Sequence, residues 1–233
     1  AKIDVPKILV HGGGRHATAL ATKLDISPKM IEGRRITDAA MLEVAVMSYA
    51  GLSNKKIVAQ LQHLGVNAVG LSGADGNCIE AVKRPVKEID YGFVGDILNV
   101  NAAVFTSLAA QDFVPVLCAI THDKNGQLLN TNADTIAAQV AIALSQEYEV
   151  NLFYCFGHAG VLRDIANPTD VIPKLSATQT ETFVREGVIH QGMVPKLHNG
   201  FDALKNGVKE VSICNINALT NTNAPKTTFQ RNA

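Results

Sequence analysis

Short runs rich in apolar and β-branched residues alternate with longer stretches of helical periodicity along almost all of the 233 residues. That alternation narrows the fold most. Strands joined by helical crossovers pair in parallel, and the helices then cover both faces of the sheet. Lys7–His11 reads as a strand running into glycines, and Arg15–Lys23 follows as a helix with Ala17, Leu20, Ala21 and Leu24 on one stripe. Thr37 reads as the N-cap of a helix beginning at Asp38, in which Met41, Val44, Ala45 and Tyr49 recur until Gly51. A further helix spans Asn54–Leu64 and is closed by Gly65.

Ala68–Leu71 is a strand ending in Ser72-Gly73-Ala74-Asp75-Gly76, and residues from about Val82 to Val100 form an antiparallel ribbon broken at Arg84-Pro85 and Asp90-Tyr91-Gly92. Asn101–Gln111 is helical, Val114–Ile120 a buried strand, and Asp123-Lys124-Asn125-Gly126 a hairpin turn with the Asn-Gly signal. An apolar helix over Asn132–Leu144 precedes a core strand at Val150–Phe156. Helices over about Thr178–Glu186 and Met193–Asn206 lead to a last strand at Glu210–Ile216, and Asn217–Ala233 is polar and unassigned. No linker or repeat divides the chain, so a single large α/β domain is expected. Ligands of such sheets bind at the carboxyl ends of strands, in the strand-to-helix turns.

Composition excludes several function classes. Lys plus Arg and Asp plus Glu are 21 each, which argues against broad electrostatic capture of nucleic acid or anionic membrane. Aromatics are only 5% with no Trp, too few for stacking platforms. The longest apolar stretches are strand-length, and no leader pattern opens the chain. Cys78, Cys118, Cys155 and Cys214 form no C-x-x-C pair and are expected as buried free thiols in a reducing cytoplasm. The seven histidines lack metal-ligand spacing.

Four segments could carry chemistry. In His11-Gly12-Gly13-Gly14-Arg15, glycines between a strand and a helix let backbone N–H groups approach an anion, although a tight turn or a dinucleotide loop matching Gly12, Gly14 and Ala17 is also open. The two arginines of Gly33-Arg34-Arg35-Ile36-Thr37 are either a solvated basic loop or a planar grip on a carboxylate at a helix start. In Asn130-Thr131-Asn132-Ala133-Asp134, ordinary capping explains Asn132 and Asp134 but leaves Asn130 over. Gln191-Gly192-Met193-Val194-Pro195-Lys196 puts a lysine in the first turns of a helix, where the macrodipole opposes it unless it faces phosphate. The P-loop and the protein-kinase signatures are both absent.

Taken together and in this order, these segments resemble the N-acetylglutamate kinase branch of the amino-acid kinase family, and they span most of the chain. The resemblance implies a three-layer α/β/α sandwich with a central, mainly parallel sheet. Residues 1–145 would form the acyl-glutamate lobe and residues 146–233 the nucleotide lobe. It further implies ATP-dependent phosphorylation of the side-chain carboxylate of an N-acylated glutamate, acetyl or succinyl, in arginine biosynthesis. Mg²⁺ would accompany ATP, and the enzyme would be a cytoplasmic homodimer.

By this resemblance the backbone of Gly13 and Gly14 meets the γ-phosphate and substrate, and Arg35 and Asn130 grip the substrate. Lys196 stabilises the transition state and Asp134 holds the lysine side chains in place. Nucleotide contacts fall on Gly12, on Gly157, His158, Ala159, Gly160, Val161 and Leu162, and on Val188, Ile189 and His190. Three departures stand out. The family's Lys-x-Gly-Gly strand, with a second stabilising lysine, has no counterpart before His11, so a longer chain is expected. Gly157 stands where the family's nucleotide loop carries an acid, and the terminal Gly-Thr element is not clear in Asn223–Thr228. Two other functions stay open: a nicotinamide-dependent oxidoreductase using Gly12–Ala17, and a non-catalytic amino-acid sensor on the same fold.

Overall fold

The computed structural model describes residues 2–31, 34–189 and 193–231, and of Arg34 only the backbone. The chain divides into two compact units, Ile3–Ile136 and Ala137–Ala233. Among the described residues no helix is long and apolar enough to cross a membrane.

In the first unit, strand β1 (Leu9–His11) lies beside β7 (Val114–Cys118), which lies beside β4 (Ala68–Leu71), all parallel. His11 is level with Cys118 and Leu71 with Leu117, so the carboxyl ends of the three strands open on the same side. Helix α1 (Gly14–Lys23) follows β1 and buries Ala17 and Ala21, whereas Leu24, expected on the same stripe, is exposed. A short antiparallel pair, β2 (Met30–Ile31) and β3 (Arg34–Arg35), leads to α2 (Ala39–Val46).

The cap of α2 is Asp38, whose carboxylate accepts from the Met41 N–H at 2.9 Å. Thr37, expected in that role, is fully buried and pairs instead with the Tyr91–Phe93 loop. Nor does Gly51 end the helix. A π-helical segment, Met47–Ser53, carries the chain without a break into α3 (Asn54–His63). Gly65 follows α3 with φ of 75°, the left-handed closure expected there.

The ribbon is a four-stranded sheet in the order β6-β5-β8-β9, built from β5 (Ile79–Lys83), β6 (Gly95–Val100), β8 (Ile120–His122) and β9 (Leu128–Asn130). Helix α4 (Ala102–Ala109) connects β6 to β7. The run expected as one strand to Ile120 divides after Cys118, since Ile120 begins a hairpin with β9. Helix α5 (Ala133–Leu144) is capped by Asn132, whose side-chain Oδ1 accepts from the N–H groups of Asp134 and Thr135.

The second unit holds a sheet ordered β10-β12-β13-β11, from β10 (Asn151–Cys155), β11 (Lys174–Leu175), β12 (Glu210–Cys214) and β13 (Thr227–Phe229). Helix α6 (Ala177–Arg185) starts at a capping box of Ser176 and Gln179, and α7 (Val194–Lys205) has Pro195 in its first turn. Strand β10 alternates buried Leu152 and Tyr154 with exposed residues, so one of its faces packs on the core and not both as a continuous core strand would. Strand β12 ends at Cys214, not Ile216, because Asn215 caps a 3-10 turn over Ile216–Leu219.

The tail left unassigned supplies β13, antiparallel to β12 and parallel to β11. Its fully buried Thr227 accepts from the Val161 N–H at 2.8 Å and donates to the Ile172 carbonyl at 2.6 Å. Thr227→Val keeps the volume but orphans both buried backbone groups. It should destabilise the protein by about 2 kcal/mol, read from the midpoint of urea unfolding.

Candidate functional site

Strand β1 delivers the glycine turn. His11 Nδ1 donates to the Gly12 carbonyl at 2.7 Å, and Nε2 accepts from Asn54 Nδ2 at 3.1 Å. Asn54 Nδ2 also donates to the Val116 carbonyl at 2.8 Å, which fixes the orientation of the amide. His11 is therefore neutral and protonated on Nδ1, and burial holds its pKa below the ordinary imidazole value.

Around that turn the first unit gathers the expected substrate residues. Arg35 Nη2 donates to the Gly14 carbonyl at 3.1 Å and to Thr18 Oγ1 at 2.8 Å, while Nη1 faces the Met41 sulfur at 3.8 Å. The guanidinium is thereby fixed over the first turn of α1, with donors left for an anionic ligand. A Cβ on Gly12 would touch the Ala133 side chain at 3.7 Å, so the turn also borders the start of α5 and with it Asp134, which is half-buried. Asn130, at the end of β9, donates from Nδ2 to Thr37 Oγ1 at 3.0 Å. Gly12–Gly14, Arg35 and the start of α5 with Asp134 thus adjoin the end of β1, and Asn130 is tied to Thr37, two residues beyond Arg35.

Sequence reasoning missed three members of this region. Tyr49, from the π segment, fills the space in front of Gly13: a Cβ there would lie 2.8 Å from Tyr49 Cε1. Asn54 joins β1 to β7, and Thr37 receives Asn130. The signal for Tyr49 was an aromatic side chain on a helical apolar stripe, which core packing explains equally well; Asn54 and Thr37 gave none.

In the second unit, β10 runs into the loop 157–162. Gly157 is exposed, with none of the described residues within 4 Å of a Cβ built on it, and His158 packs edge-on to Phe156 at 5.7 Å. Ala159 is half-buried, whereas the Val161 and Leu162 side chains are buried and Gly160 sits against Thr227. A Cβ on Gly160 would stand 2.6 Å from Thr227 Oγ1, so the loop's far half is tied into the core while Gly157 at its start is open. Ile189 is likewise a core residue and Val188 half-buried; His190 and Gly192 lie outside the described residues, as do Glu32, Gly33 and Gln191. Lys196, on the first turn of α7, is half-buried with Nζ 5.0 Å from the Tyr154 ring centroid, a cation–π contact.

Among the cysteines, Cys155 departs from the expected burial. It is exposed just before this loop, 3.7 Å from the sulfur of buried Cys214, while burial pushes the Cys118 thiol up to about 11. Among the described residues no three His, Cys, Asp or Glu side chains cluster as a metal site.

The profile of the amino acid kinase family matches residues 1–215. The chain is 53% identical over 219 residues to acetylglutamate kinase of Bacteroides thetaiotaomicron, covering 94% of this chain and 85% of the relative. It is 54% identical to that of Parabacteroides distasonis over 213 residues, covering 91% and 84%. A solved structure of smu.665 from Streptococcus mutans superposes with a TM-score of 0.82 at 26% identity, covering 97% of this chain and 86% of that one. The expected α/β fold with mainly parallel pairing is borne out.

Because His11 is held neutral, its contribution to stability is complete above pH 6.5, the ordinary histidine value, and is lost as pH falls through its lowered folded-state pKa. Wild type should therefore lose more stability than His11→Asn between about pH 7.5 and 5.5, compared by urea unfolding at each pH. Parallel pH dependence of the two proteins would contradict the neutral, amide-bonded imidazole.

Proposed function

The chain belongs to the amino acid kinase family, and from that premise we propose that it transfers the γ-phosphoryl group of ATP to the side-chain carboxylate of N-acetylglutamate. The product is an acyl phosphate of arginine biosynthesis. One observation carries the substrate: relatives 53% and 54% identical over more than nine-tenths of the chain are acetylglutamate kinases. The geometry of the first unit supports it, because Arg35 lies over the glycine turn at the end of β1 and Asn130 bonds Thr37, two residues beyond Arg35.

The chemistry asks little of acid–base catalysis. The attacking carboxylate is ionised at neutral pH, so no group has to remove a proton from it. What the site supplies is alignment of two anions and neutralisation of charge on the moving phosphoryl group. In this reading the Gly13 and Gly14 N–H groups approach the phosphoryl oxygens. Arg35 pairs with a substrate carboxylate through the donors not used on Gly14 and Thr18, and Asn130 meets the amide. Lys196 neutralises charge in the transition state, and Asp134 orients the lysine.

The nucleotide lies against Gly157, His158 and Ala159, whose open backbone suits a flat ligand, and against Val188 and His190. The buried side chains of Val161, Leu162 and Ile189 support that surface from beneath. Mg²⁺ arrives with the phosphates, which suits a protein with no three-ligand cluster among the described residues, because this ion keeps most of its waters and takes one or two carboxylates. A homodimer in the cytoplasm completes the reading.

ADP release by the full-length gene product, measured against acetyl- and succinyl-glutamate, tests the activity and the acyl group together. Release with neither compound would end the reading, and an NADH titration that saturates where ATP does not would favour the oxidoreductase alternative. Stoichiometric acylglutamate binding without ADP formation would favour a sensor. Within the kinase reading, Lys196→Ala should lower kcat by about 10²–10³ with substrate affinity nearly unchanged. Arg35→Ala should raise the KM for the acylglutamate by roughly 10- to 100-fold. An unaffected KM would remove the carboxylate grip.

A further inference from the structure

The helical run from Ala39 to His63 is continuous, yet its middle is not α-helical. Over Met47–Ser53 the backbone widens, and the Asn54 N–H donates to the Tyr49 carbonyl, five residues back. Residues five apart lie about 140° apart around an α-helix of 3.6 residues per turn, but nearly above one another where the hydrogen bond closes at i+5. The wide turn therefore brings Tyr49 and Asn54 onto one face. Both point at the same stretch of chain: Asn54 bonds the His11 imidazole, and the Tyr49 ring packs on Gly13.

Two further observations show that the wide turn serves its neighbours more than its own helix. The Ser48 hydroxyl is buried without a hydrogen-bond partner among the described residues, a cost that a regular helix surface would avoid. Gly13, with φ of −176° and ψ of 16°, does not have the left-handed backbone that by itself favours glycine. The Tyr49 ring demands it, because it occupies the volume a side chain at position 13 would need. Tyr49 also stands beside the Arg35 guanidinium, which pulls its phenol pKa down against the larger upward effect of burial.

We propose that Tyr49 is a positioning residue for phosphoryl transfer, its ring forming the wall against which the π-helical turn holds Gly13, so that the Gly13 and Gly14 N–H groups stay aimed at the transferring group. This rests on the function proposed above. Tyr49 acts through the glycine turn and touches no reacting atom.

The test is a double-mutant cycle between Gly13→Ala and Tyr49→Val, with Tyr49→Ala as a second truncation and Tyr49→Phe as the conservative variant. Tyr49→Phe should keep kcat within about threefold, since the ring remains. Tyr49→Val should lower kcat at least about tenfold at saturating substrates, with a much smaller change in the KM for acylglutamate. Gly13→Ala should lower kcat at least about a hundredfold alone, but only a few-fold in the Tyr49→Val background, where its methyl enters vacated space. A role in stability alone would lower the unfolding temperature and leave the two kcat losses multiplicative.

Multiplicative losses, or wild-type kcat in both truncations, overturn the inference. Should wild type release no ADP, the kinase reading falls separately. The same cycle read in unfolding temperatures still decides whether Tyr49 sets the turn: equal Gly13→Ala losses in both backgrounds overturn it.

Discussion

The side-chain amide of Asn54 is the tie on which the first unit's site depends. It is buried at the start of α3 and bonds the Val116 carbonyl on β7 and the His11 imidazole on β1 from the same nitrogen. A helix is thereby locked to two neighbouring strands beside the point where β1 ends, and His11 in turn accounts for the Gly12 carbonyl. A glycine turn has little side-chain packing of its own, so its geometry is borrowed from what surrounds it. Here the lenders are Asn54 behind His11, Tyr49 against Gly13 and Arg35 on the Gly14 carbonyl. Preorganisation of this kind matters most where catalysis consists of aiming dipoles at developing charge.

The second unit solves a similar problem with a different device. The loop after β10 is half open and half core, and the division falls at Gly160. Beyond it Val161 and Leu162 are buried, and Thr227 satisfies the loop's backbone from β13. The same chain segment thus presents an exposed Gly157 while its far end is anchored in the core. Lys196 is held against the Tyr154 ring, which orders a long side chain without neutralising its charge.

Much of this was legible in the sequence. Ala68–Leu71 and the helices around Arg15–Lys23 and Asn54–Leu64 follow from periodicity and from glycine closure, which are local. The loops carrying Gly12–Gly14, Arg35, Asn130 and Lys196 were found because glycine, amide and charged residues cluster between periodic runs, where helices begin. Tyr49 and Asn54 were not found, because a π-turn shifts the phase of a helix by less than any pattern of apolar residues records. The strand in the tail was missed because Thr227–Phe229 is too short to show alternation, and its existence depends on pairing with β11 and β12.

The order of strands and helices, the places where chemistry-bearing loops interrupt them, and the family that such an order resembles are properties of the sequence by itself. They arise from interactions between residues a few positions apart, so the linear pattern records them. Tertiary structure alone decided that Thr37 is buried and receives Asn130, that one ring excludes any side chain from position 13, and that Thr227 holds a loop 66 residues away. Each is a contact between distant segments, settled by which buried polar group finds a partner and which volume is already filled.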